Sequence, residues 1–168
     1  MSTPDYEPIM QRIIVIGIGN PLRGDDGIGW YTVDRLEESL ESREIEFTKC
    51  VELTPEFSEK ISRSKFALFI DSRVESQEAE IKEEHIVPAE VFPALETHRL
   101  DPAGILAFSR SLYGKIPEAI MLTVEGKSFE YGEEISLETE QRVESLLVRA
   151  REILNDWLQK LRIEYCIC

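Results

Sequence analysis

The feature that most constrains the fold is a short apolar run near the start of the chain. Residues 13–16 are Ile-Ile-Val-Ile, and Gly17 follows directly. Four consecutive β-branched residues present apolar side chains to both faces of a strand, which is typical of a central strand in a covered sheet. The run leads into the sequence GIGNPLRGDDGIG, residues 17–29, and then into apolar residues at helical spacing over 30–40. This order of strand, turn and helix predicts an α/β fold.

The rest of the chain alternates between strand and helix patterns. Further strands are predicted over residues 46–51, 65–70 and 119–124, and an edge strand over 84–87 after an acidic loop or edge over 73–83. The alternation predicts an α/β/α arrangement of three layers, with helices on both faces of the sheet.

Three more helices are predicted from their start signals and their periodicity. Thr54-Pro55, as N-cap and first helical position, predicts a short helix through Ile61. Asp101-Pro102 predicts a second helix by the same signals, and Gly114 ends it. Apolar residues every three or four positions over 143–161 predict a long amphipathic helix that covers the sheet.

Length and charge limit the classes of protein. The 168 residues predict one domain over 1–168, with a core over about 12–160 between a short irregular N-terminus and a C-terminal tail. A net charge of −14 argues against nucleic acid and against anionic membrane surfaces as partners, because both are bound through Lys and Arg. We expect a monomer.

The chain is expected to work in the cytoplasm. No apolar run approaches the roughly 20 residues that span a bilayer. The first residues, MSTPDYEPIMQR, lack the basic and apolar regions of a signal peptide. Three cysteines, an odd and sparse set, fit a reducing compartment.

Several polar residues follow predicted strands, where sites form in open α/β sheets. Asn20, Asp25 and Asp26 come after the first strand, and Asp71 comes after the third. His98 lies shortly before the helix that starts at 101. Two carboxylates and one imidazole from separate loops suit Zn, Ni, Mn or Fe, and leave positions for water or substrate. The sequence therefore predicts a metal site at this edge of the sheet.

Each member of this set also has a structural alternative. Asp26 can cap the following helix, where a carboxylate favours the positive end of the helix dipole. Asp71 can hold a loop, and His98 can be an ordinary loop histidine. The metal-site prediction depends on the combination. His85, the second of two histidines, lies in a charged stretch and is expected at the surface.

Other catalytic patterns are missing from the sequence. Residues 17–29 lack the G-x-G-x-x-G spacing that opens a helix in dinucleotide-binding proteins, and their two acidic residues would repel a pyrophosphate. The chain has no HExxH helix motif, no serine in a G-x-S-x-G turn, and no motif around Cys50. Nucleophilic catalysis by serine or cysteine is therefore not favoured.

The first motif resembles the signature G-x-G-N-x-L-x-x-D-[DE]-G-x-G of the hydrogenase maturation proteases. LFIDS, which contains Asp71, is similar to the family's second block. THRLDPAGILAFSRSLYG, which contains His98, is similar to its third. IMLTVEG with SFEYGEEIS resembles the last strand and the stretch after it. CVELTPEF and FIDSRVES resemble the branch that acts on bidirectional, NAD-linked hydrogenases.

The resemblance implies a twisted, mixed, mostly parallel sheet of about five strands in a phosphorylase/hydrolase-like fold. It implies an endopeptidase that removes the C-terminal extension of a [NiFe]-hydrogenase large subunit after nickel insertion. The family's metal ligands correspond to Asp26, Asp71 and His98, which would bind the nickel that the substrate's cysteines already hold. Asn20 and Gly19 would shape the turn or contact substrate. Three ligands predict that the isolated protein binds free divalent metal weakly or is purified empty.

The sequence leaves mechanism and function with alternatives. Either the metal activates water, or it positions the substrate while Asp26 or Asp25 acts as general base. An aspartic dyad of Asp26 and Asp71 would leave His98 without a role. The same three residues also fit a non-catalytic checkpoint or chaperone that binds the nickel-loaded large subunit, or a metallohydrolase of small molecules.

Overall fold

The computed structural model of the chain describes residues 12–74, 81–90 and 100–167, and its regular elements are as follows. The strands are β1 Ile13–Ile18, β2 Ile45–Cys50, β3 Phe66–Arg73, β4 Ile81–Ile86 and β5 Glu118–Glu125. The helices are α1 Ile28–Ser39, α2 Phe57–Arg63, α3 Pro102–Tyr113 and α4 Leu137–Ile167, and a 3-10 helix spans Gly24–Gly27.

The five strands form one sheet in the order β2-β1-β3-β5-β4. β1, β2, β3 and β5 run parallel, and β4 pairs antiparallel with β5 at one edge. The predicted mixed, mostly parallel sheet of about five strands is confirmed. All six residues of β1 are buried, as the continuous apolar run predicts for a strand next to the centre of the sheet.

Helices cover both faces of the sheet. One core cluster joins α1 and α4 to the sheet, and Trp157 of α4 stacks on Phe66 of β3 with ring centroids 4.9 Å apart. A second cluster joins α2 and α3 to the opposite face, through Ile61, Ile105, Leu106 and Phe108. The predicted α/β/α layers are therefore confirmed. Within the described ranges, no helix is long and apolar enough to cross a membrane.

The signals at the ends of α3 are confirmed. The Asp101 side chain accepts a hydrogen bond from the Gly104 N–H at 2.7 Å, and Pro102 is the first helical residue. Gly114 ends the helix with φ 68°, a left-handed conformation that glycine adopts without a Cβ penalty.

The predicted start of α2 is wrong. The helix begins at Phe57, and its N-cap is Glu56 without a side-chain cap. Thr54 and Pro55 form a tight turn before it, in which their carbonyls accept from the Phe57 and Ser58 N–H groups at 3.1 and 3.0 Å. The same residue types that begin helices also begin such turns.

Two strands are longer than the apolar pattern indicates. β3 continues to Arg73 because it pairs with β5 as far as Glu125, so Asp71 lies inside the strand and not beyond its end. β4 begins at Ile81 and not at residue 84, because Ile81 pairs with Val124 of β5. His85 of β4 is exposed, as predicted.

Candidate active site

The candidate site lies where the strand order reverses. The chain runs from β1 through α1 to β2 on one side, and then from β2 through α2 to β3 on the other side of β1. The connections leave the carboxyl ends of β1 and β3 in opposite directions, so a crevice opens between them. Asp26 follows β1, and Asp71 lies near the end of β3. Both carboxylates are therefore at the position where open α/β sheets bind ligands.

Gly19 and Asn20 shape the loop after β1. Gly19 has φ 129°, and a Cβ there would lie 1.9 Å from the Asp26 carbonyl oxygen, so no other residue fits. The Asn20 N–H donates to Asp26 Oδ2 at 2.9 Å, and Asn20 Oδ1 accepts from the Leu22 N–H at 3.0 Å. These contacts support the predicted role in shaping the turn, while contact with a substrate stays a prediction.

Asp26 is half-buried and only lightly engaged. Besides the Asn20 N–H, it faces the Ser72 hydroxyl, whose Oγ lies 3.5 Å from Oδ1. A carboxylate offers about four lone-pair sites. Asp26 therefore retains acceptor capacity toward a metal, a water molecule or a substrate.

Asp71 is also half-buried, and it also contacts Ser72. Its Oδ1 accepts from the Ser72 N–H at 2.7 Å. The two predicted carboxylate ligands thus both contact Ser72, Asp26 through the hydroxyl and Asp71 through the backbone. Ser72 is a site residue that the sequence analysis did not single out. A serine next to a strand-end aspartate was the only signal for it.

Asp25 has a different environment from its neighbour Asp26. It is fully buried, and its two oxygens accept five hydrogen bonds at 2.7–2.9 Å. The donors are the N–H groups of Lys127, Ser128 and Ser136 and the hydroxyls of Ser136 and Thr139. Burial raises the pKa of Asp25, but the hydrogen bonds outweigh it and lower the pKa from 3.8 to about 2.

This environment argues against Asp25 as the general base and favours a structural role for it. Both of its oxygens accept from donors of the loop after β5 and of α4, and its low pKa makes it a weak base. The carboxylate is suited to hold loops together, and Asp26 is the better candidate for the base.

His98 lies outside the described residues, so its place relative to Asp26 and Asp71 stays a prediction. Over residues 12–74, 81–90 and 100–167, no three His, Cys, Asp or Glu side chains form a group that could hold a metal ion. The two carboxylates therefore need a further ligand from outside these ranges or from a substrate to complete a metal site.

Thr123 is a second neighbour of Asp71, after Ser72, that the sequence analysis missed. It is the register partner of Asp71 on β5, and parallel register partners share a face of the sheet. Its hydroxyl is buried and has no hydrogen-bond partner among the described residues. A single hydroxyl within the apolar run AIMLTV was the only signal.

Cys50 lies at the carboxyl end of β2, one strand away from Asp71 and β3, and is unsuited to nucleophilic catalysis. It ends β2 and is buried as a free thiol. Burial, together with the charges of Asp71 and Glu52, raises the pKa of the thiol to about 12. Since the thiolate is the nucleophile, the sequence-based exclusion of a cysteine mechanism agrees with this environment.

We therefore expect Cys50 to resist alkylation in the folded protein at pH 7.5. Iodoacetamide followed by peptide mass mapping should modify Cys50 at least about 100-fold more slowly than the exposed Cys166. The same treatment in urea, which exposes both thiols, is the control. Equal labelling of the two residues in the folded protein would contradict this account of the thiol.

A cavity of about 850 Å³ lies at the amino ends of the parallel strands, opposite the carboxyl ends where Asp26 and Asp71 lie. It is lined by residues of α2, by residues before β1 and β3, and by residues at the end of α3 and after it, among them Arg12, Lys65, Tyr113 and Ile116. These residues are at the amino ends of the strands, away from Asp26 and Asp71. The cavity is therefore separate from the candidate site.

The fold matches solved structures of hydrogenase maturation proteases. The hydrogenase maturating endopeptidase HybD from E. coli matches with a TM-score of 0.70 at 23% identity, over 86% of this chain and 93% of that chain. The [NiFe] hydrogenase maturation protease HycI from Thermococcus kodakarensis KOD1 matches with a TM-score of 0.66 at 25% identity, over the same shares. A hydrogenase 2 maturation peptidase from a Thaumarchaeota archaeon matches with a TM-score of 0.62 at 20% identity, over 85% of this chain and 97% of that chain. No family model matches the chain, and no curated protein matches it.

Proposed function

We propose that this protein is an endopeptidase that removes the C-terminal extension of a [NiFe]-hydrogenase large subunit after nickel has been inserted. One observation carries the proposal. The carboxylates of Asp26 and Asp71 meet at Ser72, at the crevice of a fold that the compared maturation proteases share. The chain covers nearly the full length of those proteins, so the proposal concerns a whole protease unit.

The nickel belongs to the substrate in this proposal. The large subunit presents the metal through its own cysteines, and Asp26, Asp71 and His98 add oxygen and nitrogen ligands from the protease. Carboxylate and imidazole groups suit Ni²⁺, and the two half-buried carboxylates can reach a metal brought to the edge of the sheet. Recognition through the metal would restrict cleavage to precursors that already contain it.

The roles that we propose for Asp25 and Asp26 follow from their different environments. Asp26 keeps acceptor capacity and can take a proton from the attacking water. Asp25 keeps the loop of Asp26 attached to the loop after β5, and so fixes where Asp26 points. Asp71 and His98 then position the substrate's metal, and with it the peptide next to the metal.

The test of nickel recognition compares precursor with and without nickel. Wild-type protein should bind the loaded precursor at least about tenfold more tightly than the empty one. Asp71→Asn and His98→Ala should remove most of this preference, because each loses one ligand. Matched controls are Asp156→Asn, on the exposed face of α4, and His85→Ala, the other histidine.

The outcome shows whether recognition of the precursor depends on its nickel and on the proposed ligands. Controls that keep the nickel preference while the two ligand variants lose it would support the ligand set. Equal affinity of wild-type protein for loaded and empty precursor would contradict recognition through the metal.

A further inference from the structure

The loop between β5 and α4 is bound to the loop that carries Asp26. We call residues 126–136 the anchored loop. Asp25 accepts five hydrogen bonds from this loop and from the first turn of α4, and the Asp25 N–H donates to the Ser128 carbonyl at 2.8 Å. The anchored loop therefore borders the candidate site through the residue adjacent to Asp26.

Backbone contacts fix the tip of the anchored loop as well. The Gly24 N–H donates to the Gly132 carbonyl at 2.7 Å, and the Gly132 N–H donates to the Leu22 carbonyl at 2.9 Å. Gly24 has φ 52°, and a Cβ there would lie 2.7 Å from the Ser128 carbonyl oxygen. The two loops fit together at backbone distance, so the tip has little freedom despite its exposure.

This well-anchored tip presents an aromatic side chain to solvent. Tyr131 is 87% exposed, the highest value among the large hydrophobic side chains that the structure describes. Tyr131 is next to Gly132, whose partner Leu22 is also exposed. A single exposed hydrophobic residue is ordinary, but an exposed aromatic residue on a rigid loop is typical of an interaction surface.

Further exposed apolar side chains follow the carboxyl ends of the other parallel strands. Val51 directly follows β2, and Val74 directly follows β3, and both are exposed. With Leu22 and Tyr131, each of the four parallel strands is thus followed by an exposed apolar residue. These apolar residues lie at the carboxyl ends of the parallel strands, as Asp26 and Asp71 do, where a protein substrate has to approach.

The charge of the anchored loop is complementary to a basic partner. Glu130, Glu133 and Glu134 flank Tyr131, and all three are exposed. None of the three forms an ion pair with another residue of the described ranges. The two nearest cations do not pair with these glutamates: Arg23 donates to the Phe129 carbonyl of the same loop, and Lys127 pairs with Glu125.

From these observations we propose that the anchored loop is a docking surface for the precursor of the large subunit. It would bind a segment near the scissile bond that carries Lys or Arg, with an apolar side chain against Tyr131 and the three glutamates around the basic groups. The inference rests on the proposed function, since it takes the precursor as the partner. A loop that is ordered before binding loses little conformational entropy on docking, which favours affinity.

The test measures both binding and cleavage of nickel-loaded precursor. Tyr131→Ala should weaken binding about tenfold, as expected for an aromatic contact at the centre of an interface. The triple variant Glu130→Gln, Glu133→Gln, Glu134→Gln should weaken binding about tenfold at low salt and should lose part of the salt dependence that the wild type shows. Both variants should raise KM and leave kcat unchanged, because neither touches Asp26 or Asp71.

The controls change the same residue types elsewhere on the surface. Tyr113→Ala removes an exposed tyrosine near the amino ends of the strands, away from the anchored loop. The triple variant Glu37→Gln, Glu38→Gln, Glu41→Gln removes three exposed charges at the end of α1 and after it. Both controls should bind the precursor as the wild type does, and all variants should keep the melting temperature of the wild type.

Each outcome bears on one proposal or the other. Loop variants that bind as tightly as the controls, with cleavage retained, would overturn the docking surface and leave the protease standing. A wild-type protein that binds the precursor through Tyr131 but does not shorten it would support docking and overturn the protease. A wild-type protein that does not bind the precursor would overturn the docking proposal.

Discussion

Asparagine in place of Asp25 is expected to lower the free energy of unfolding by about 3 kcal/mol, because it removes a buried carboxylate that accepts five hydrogen bonds. The amide keeps one acceptor oxygen, which can take the place of Oδ2 and its four hydrogen bonds, but without the negative charge that strengthens them. The NH₂ group then faces the Ser136 N–H, and this buried donor would be left unsatisfied.

Urea unfolding of matched variants measures this loss. Asp26→Asn is the control, since it changes the adjacent residue from the same acid to the same amide. It should change the free energy of unfolding by less than about 1 kcal/mol, because Asp26 is half-buried and lightly engaged. Equal losses in the two variants would show that Asp25 has no special structural role.

The effect of Asp25 should also depend on pH. The pKa of Asp25 is lowered in the folded state, from 3.8 to about 2, so its ionised form stabilises the fold at pH values above 3.8. The contribution is about 2 kcal/mol, and it should disappear as the pH falls from about 4 through 2. The difference between wild type and Asp25→Asn, measured by urea unfolding at several pH values, should shrink over that interval. A difference that stays constant down to pH 2 would contradict the lowered pKa.

Asp26→Asn is expected to lower kcat/KM for the nickel-loaded precursor at least about 100-fold. The amide cannot accept a proton from the attacking water, and it is a poorer metal ligand than a carboxylate. Both proposed roles of Asp26 therefore predict the same loss. The folded structure should be retained, because the oxygen that accepts from the Asn20 N–H remains.

The control for this measurement is Asp156→Asn, an exposed change on α4 that should cleave as the wild type does. Single-turnover cleavage followed by mass spectrometry gives the rates. An Asp26→Asn protein that retains more than about one tenth of the wild-type rate would remove Asp26 from the reaction.

The elements of the fold that could be predicted are determined by residues close together in the sequence. β1 was recognisable because four β-branched residues in a row fit no exposed position. α3 was recognisable because Asp101 and Gly114 act on backbone groups a few residues away. Local chemistry was misleading at Thr54-Pro55, where the same residue types form a turn and the helix starts later.

The parts that were not predictable depend on contacts between distant residues. The extension of β3 past Asp71 results from pairing with β5, about 50 residues further along the chain. Asp25 and Asp26 are the same amino acid at adjacent positions, so residue type and spacing alone do not distinguish their roles. More than 100 residues separate Asp25 from the donors that distinguish it. The site prediction by resemblance chose Asp26 and Asp71, and the structure adds Ser72 as their common neighbour.

The most direct test of the proposed function is the intact mass of the precursor. Purified wild-type protein is incubated with nickel-loaded large-subunit precursor, and the mass of the large subunit is followed over time. The proposal predicts a single new species that lacks the C-terminal extension, together with the released peptide. A precursor that forms a complex with the protein but keeps its full mass would contradict the protease and would indicate a checkpoint or chaperone.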